Sequence, residues 1–202
     1  MKRYKTIEKE CSIEYKIERS RFIGYASPCN STLEAKEFVV KIKKMHSLAT
    51  HNCYAYLIKQ GENATKFFDD GEPQGTAGMP ILEGIKSFDL TNVCVVVTRY
   101  FGGIKLGAGG LTRAYLKSAT LTLESATIIE KVLVDLYEVT VSYEEYSGLL
   151  SAFQKEIVNV EYLDNVKITF AIEKDEKEGF QEKINSLLLK CVDLNFLKEE
   201  YV

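Results

Sequence analysis

Residues Val93-Cys94-Val95-Val96-Val97 are apolar without a break, and within five residues of Val97 the chain enters a glycine-dense stretch. Gly102, Gly103, Gly107, Gly109 and Gly110 fall within nine residues, and a helix-competent run from Leu111 to Ala126 follows. A strand-length apolar run without alternation is what burial on both faces requires. Glycine admits positive φ and close backbone approach, and successive free N–H groups leading into a helix form a natural anion site. Arg99, Lys105 and Arg113 flank or punctuate the glycines. The stretch reads as strand, glycine loop and helix, built to hold a phosphate or a carboxylate.

The 202 residues allow one large or two small domains, each with its own core. With 46% hydrophobic and 27% charged residues, the composition is that of a water-soluble globular protein. The first ten residues carry no apolar signal region and no apolar run approaches bilayer length, so a cytoplasmic location without membrane contact is expected. Cys11, Cys29, Cys53, Cys94 and Cys191 are widely spaced, with no Cys-x-x-Cys pair. Cys11, Cys53 and Cys94 fall in strand-like patterns and read as small core residues. Residues 1–130 hold 18 Lys and Arg against 14 Asp and Glu, whereas residues 131–202 hold 8 against 15. A polarised chain can present a basic face to nucleic acid, but on charge alone ordinary scatter with acidic solubilising helices accounts for the split better.

Taken in order, Cys11, Ile13, Tyr15 and Ile17 alternate with polar residues as a half-buried strand, and Arg19-Ser20 turns it into a second strand, Arg21 to Ala26. Ser31-Thr-Leu-Glu34 has the form of a capping box, opening a helix with Ala35, Phe38, Val39, Ile42 and Met45 on one face. His51 to Ile58 and Thr65 to Phe68 read as a strand pair joined through Gly61-Glu62-Asn63. Residues 69–79 are a long turn-rich loop of the kind that carries function, and Pro80 suits the first turn of the next helix. Beyond Lys131 the pattern is strand (137–143), helix (146–157), strand (158–162), strand (166–172), helix (180–188) and strand from Val192 through Leu194 to Phe196. That βαββαβ order is the ferredoxin-like sandwich. Two domains are expected, 1–130 and 131–202.

Three blocks of this chain resemble the YigZ/IMPACT family. They are His51-Asn-Cys-Tyr-Ala-Tyr56; Asp69-Asp-Gly-Glu-Pro-Gln-Gly-Thr-Ala-Gly78 with Pro80; and Val95 to Tyr115, which contains the glycine stretch. The resemblance covers roughly the first 125 residues, and the remainder is similar to the smaller second domain of bacterial members. It implies an α+β, two-domain protein: an N-terminal domain of the ribosomal protein S-five second-domain type and a ferredoxin-like C-terminal domain. Both would be akin to the terminal domains of elongation factor G. One departure is that Ser47 follows His46 where the family commonly has proline, which removes a fixed φ from that turn.

The candidate site is Arg99, Tyr100, Gly102, Gly103, Lys105, Gly107, Gly109, Gly110 and Arg113, supported by His51, Asp69, Asp70, Glu72, Gly75 and Thr76. No Gly-Lys-Ser/Thr occurs, so this is not a Walker A loop. Thr112 stands where a dinucleotide fingerprint needs its third glycine. Arg99 and Arg113 suit forked contacts to phosphate and Lys105 a point charge; the competing reading pairs these cations with Asp69, Asp70 or Glu72. The same acids would hold a bridging Mg²⁺ only if a phosphate sat on the glycines. His46 and His51 are poorly spaced for chelation, and Tyr54, Tyr56, Tyr100 and Phe101 are either core or base-stacking aromatics. No cofactor, no metal and no catalytic residue is expected.

The resemblance implies a translation-linked regulatory role, since eukaryotic members restrain an initiation-factor kinase by binding its activating protein. With the basic loop, the expected partner is RNA, the ribosome or a translation-associated protein, in a binding protein rather than an enzyme. The alternative is a small phosphorylated ligand or nucleotide held by the same loop. A purely protein-binding scaffold is the third.

Overall fold

The computed structural model describes residues 3–59, 63–188 and 193–202. The chain forms two compact units, Tyr4–Glu130 and Lys131–Val202, the latter with Arg3. The turn expected at Gly61-Glu62, and the expectations for Cys191 and Val192, lie outside the described residues.

The first unit contains most of β1 (Arg3–Ile7), then β2 (Cys11–Ile17), β3 (Ser20–Pro28), α1 (Thr32–Met45), β4 (His51–Ile58), β5 (Ala64–Phe68), α2 (Gly78–Ser87), β6 (Val93–Tyr100) and α3 (Gly107–Glu124). The sheet order is β2-β3-β6-β4-β5, with every neighbouring pair antiparallel. β6 is the central strand, and Val93 through Val97 are fully buried. Its odd residues pack with Phe22, Leu57, Ile81, Ile85 and Tyr115 beneath α2 and α3. Its even residues, Cys94 and Val96, pack with Phe38, Ile42, Tyr56 and Ile58 beneath α1. Helices on both faces explain why the strand carries no alternation.

Local chemistry departs from the sequence expectation at four points. The β2–β3 turn is Glu18-Arg19, not Arg19-Ser20, and both residues take positive φ (45° and 63°), the mirror-image turn that matches strand twist. Ser31 caps α1 through the Glu34 N–H, but the Glu34 carboxylate returns to the Asn30 N–H, one residue outside a capping box. Met45 ends α1 on its exposed side, because the apolar face closes at Ile42. Most consequentially, α3 begins at Gly107 rather than Leu111. Glycine is a poor helix former in a helix interior, yet in the first turn the N–H groups have no intrahelical partner anyway.

The second unit contains most of β7 (Ile128–Val141), then α4 (Tyr143–Ala152), β8 (Ile157–Tyr162), β9 (Val166–Ile172), α5 (Lys177–Leu188) and β10 (Asn195–Tyr201). β10, β7, β9 and β8 are adjacent in that order and antiparallel, the ferredoxin-like arrangement. β9 alternates without fault, Val166, Ile168, Phe170 and Ile172 turning inward. Phe153, Phe170 and Phe180 meet edge to face, with centroids 4.9–5.8 Å apart. The last strand starts at Asn195, after Leu194, and its first six residues are exposed, so apolar alternation could not locate it. No helix among the described residues is long and apolar enough to cross a membrane.

Candidate anion-binding site at the start of helix α3

Adjacent residues of a strand point to opposite faces, and the end of β6 shows the consequence. Arg99 turns toward α3, whereas Tyr100 turns toward α1, where its hydroxyl meets His46 Nδ1 at 2.9 Å. His46 Nε2 lies 2.6 Å from the Tyr25 hydroxyl, and Arg21 stands 5.0 Å over the Tyr100 ring. Burial first, and the Arg21 charge second, hold the His46 pKa below its ordinary value. Tyr100 and Arg99 therefore belong to different sites.

Arg99 is 5% exposed and not a free cation. Its Nη1 donates to Glu72 Oε1 at 2.7 Å, Nη2 reaches Ser20 Oγ at 3.4 Å, and Nε–H is buried without an acceptor. The guanidinium lies between the rings of Phe22 and Phe101, 5.4 and 5.3 Å from their centroids. Glu72 Oε1 also accepts from the Tyr115 hydroxyl at 2.7 Å, and the Cys53 thiol donates to that hydroxyl at 3.4 Å. Burial pushes both the Tyr115 hydroxyl and the Cys53 thiol up, so both remain protonated donors. Of the two readings of Arg99, pairing with an acid of the 69–76 loop is the one observed.

The loop itself is folded by its acids. The Asp69 carboxylate accepts the N–H groups of Gly75, Ala77 and Gly78 at 2.8–3.0 Å and so caps α2. Asp70 accepts the Asn52 N–H and pairs with Lys43 at 2.8 Å. Thr76 Oγ1 donates to the Pro73 carbonyl at 2.7 Å, and Gly75 takes φ +76°. With Asp69 and Asp70 so committed and Glu72 neutralised by Arg99, these three do not assemble into the bridging Mg²⁺ site weighed from the sequence.

His51 Nδ1 lies 2.8 Å from the Asp70 carbonyl, which can only accept, so the proton is on Nδ1. Nε2 lies 3.8 Å from Glu72 Oε1. His51, Glu72, Arg99, Phe101 and Lys105 line one cavity of about 410 Å³, whose rim includes Gly107 and Ala108.

That rim is the N-terminus of α3. Side chains meet the N-termini of α1, α2 and α4, through Ser31, Asp69 and the reciprocal Ser142–Glu145 box, but among the described residues no side chain caps α3 at Leu106. The N–H groups of Gly107, Ala108 and Gly109 have no intrahelical acceptor, and no acid occupies the first turn. Gly107 takes φ +69°, and a Cβ at Gly110 would stand 3.0 Å from that of Leu106. Gly102 is required elsewhere: its Cβ would fall 2.0 Å from the Arg19 carbonyl, because the loop lies against the β2–β3 turn. Gly103 takes φ +87°.

Lys105 and Arg113 are exposed, and neither has an ion-pair partner among the described residues. Arg113 Nη1 is 3.5 Å from where a Cβ of Gly109 would stand, so the guanidinium leans back over the first turn, as helical side chains do. The structure thus gathers Lys105, Gly107, Gly109, Gly110 and Arg113 at one helix end, with His51, Glu72 and Arg99 behind them. Asp69, Asp70, Gly75 and Thr76 serve the loop's own fold. Tyr115, given no separate role in the sequence, is the buried hinge of the network. Its signal was a polar hydroxyl on the apolar Leu111–Ala119 face, which needs a partner when buried.

Comparison with known proteins gives a consistent result. The Impact N-terminal domain model matches residues 18–123, and a domain of unknown function, DUF1949, matches residues 139–188. The IMPACT family member YvyE of Bacillus subtilis is 42% identical over 187 residues, covering 91% of this chain and 86% of its own. YigZ of Escherichia coli is 32% identical over 173 residues, with 83% and 85% covered. A crystal structure of a hypothetical protein aligns over 99% of this chain and 100% of its own, with a TM-score of 0.66 and 28% identity.

Proposed function

This chain belongs to the IMPACT family, and from that premise we propose that it is a translation-linked regulatory protein that binds RNA through the open start of α3. The translation link rests on the family. RNA as the ligand is supported by one observation: Lys105 and Arg113, both exposed, flank three helix N–H groups that have no intrahelical acceptor, with no acid in that turn. Such an arrangement favours a negative group by dipole, hydrogen bond and charge together. Arg99 contributes differently from the sequence expectation: it neutralises Glu72 and so keeps a buried carboxylate from repelling the phosphate.

The test is co-sedimentation with ribosomal subunits and with free RNA, comparing wild type with Lys105→Glu/Arg113→Glu. Arg99 is left intact because its replacement would break the core. Binding by the wild type and its loss in a folded double variant are expected. Equal binding by both proteins would contradict the assignment, and no binding by the wild type at low salt would turn the search to protein partners.

A further inference from the structure

The sheet of the first unit has two outer strands, and they differ in what they show to solvent. β2 exposes Ser12, Glu14 and Lys16, with Glu14 paired to both Lys16 and Arg21. β5 exposes Thr65, Lys66, Phe67 and Phe68; it pairs with β4, and no further strand lies on its outer side among the described residues. Adjacent strand residues point to opposite faces. Phe67 and Phe68, 41% and 44% exposed, therefore place an aromatic ring on each face of this edge. An edge strand leaves a row of N–H and C=O groups unpaired, and an apolar one is a template for a further strand.

The α1 side of the edge is also basic. Phe68 lies 5.5 Å from the Tyr54 ring, and Lys43 Nζ stands 5.4 Å from the Phe68 centroid. Lys36, Val40 and Lys43 recur at i, i+4 and i+7, so they share the stripe of α1 that Lys43 brings over β5. Lys66 is directly opposite Tyr56, which packs beneath α1, and so projects to the same side. Lys36 and Lys66 are exposed and have no ion-pair partner among the described residues, while Asp70 beyond the end of β5 is already paired with Lys43. Val40, 49% exposed, adds an apolar surface between the cations.

We infer that β5 takes up an extended acidic segment of another protein as a sixth strand of this sheet. The segment's backbone closes the open edge. Carboxylates on alternate residues meet Lys66 and Lys36 on the α1 side, and the intervening apolar residues lie against Phe67 on the other. A strand edge is complemented by a peptide backbone, which favours a protein over a nucleic acid. The basic strip favours acids over a second copy: two β5 strands related by a two-fold axis at Lys66 would set like charges opposite each other. This surface uses none of the residues at the start of α3 and goes beyond the function proposed for them.

The experiment is titration of the ¹⁵N-labelled full chain with the end-blocked peptide Val-Glu-Val-Glu-Val, followed by amide shifts. The controls are Val-Lys-Val-Lys-Val and the acidic peptide N-methylated throughout, which keeps its charge but cannot donate to a strand edge. The acidic peptide is expected to move the amides of residues 64–68 and of Lys43, and to bind at least about tenfold tighter than either control. Lys36→Glu/Lys66→Glu, both on the surface, is expected to keep the wild-type spectrum elsewhere and to lose at least about tenfold in affinity for the acidic peptide. Phe67→Ser, on the opposite face, is expected to weaken the same peptide without any change of charge. No shift with about 5 mM acidic peptide, or equal binding of either control, overturns the inference. It is overturned equally if single-stranded RNA moves residues 64–68 where the peptide does not, which assigns the strip to nucleic acid. Shifts of those amides with rising protein concentration alone would assign the edge to a second copy and overturn it as well.

Discussion

Glu72 and Arg99 have side-chain exposures of 4% and 6%, so each buried charge is compensated by the other. Removing one partner of such a pair leaves an uncompensated buried charge and typically costs about 3–5 kcal/mol. Arg99→Leu is therefore expected to lower the urea midpoint severely, whereas Arg113→Leu, on the surface, is expected to change stability by less than about 0.5 kcal/mol. Similar losses from both would contradict the placement of Arg99 in a buried ion pair and Arg113 on the surface. The sequence could not make that division: Glu72 lies 27 positions from Arg99, and only the register of β6 shows which way each side chain turns. His46 gives a pH signature. Its folded pKa is lowered by burial and by Arg21, while the unfolded ring titrates near about 6.5. Above that pH the group costs nothing; as pH falls below it the unfolded chain takes up the proton first, and stability declines. His46→Gln should show a smaller loss of urea midpoint between pH 7.5 and pH 5.5 than wild type, and an equal or larger loss would contradict it.

At the scale of elements, α3 is the one whose start matters. An alanine at Gly107 would sit in the left-handed region and cost roughly 1–2 kcal/mol. Gly102→Ala would drive a methyl into the Arg19 carbonyl and should destabilise further, while Gly109→Ala meets only the end of the Arg113 side chain at 3.5 Å and should be tolerated. Thermal unfolding of the three variants orders them, and a destabilised Gly109→Ala would contradict the description of that turn. Ser142→Ala, which removes half of a reciprocal cap, should cost about 1 kcal/mol. Much of the architecture was legible, because β9, β6 and the α1 face carry clean periods of two, none and 3.6. The start of α3 was not, since glycines read as loop whether or not a helix runs through them. Nor was β10, whose exposed residues give its pairing with β7 no apolar signature.

At the scale of the molecule, the chain joins a three-layer unit that carries the site to a ferredoxin-like unit with a phenylalanine core. Residues 1–130 carry an excess of Lys and Arg and residues 131–202 an excess of acids, so the unit with the open helix start is also the one with a net positive formal charge. Family blocks in the sequence located this region but not the direction of its parts: the glycines, cations and acids were all visible, while their partition into a buried pair, a folded loop and an exposed helix end is a property of the tertiary fold. Lys105 and Arg113 are proposed to hold phosphate at the start of α3. This is tested most directly by the slope of log affinity for single-stranded RNA against log salt, in wild type, Lys105→Gln and Arg113→Gln. Each cation that contacts a phosphate contributes about 0.7 to that slope. A reduction of about that size is expected in each single variant; slopes unchanged from wild type in both would contradict the proposed phosphate contacts.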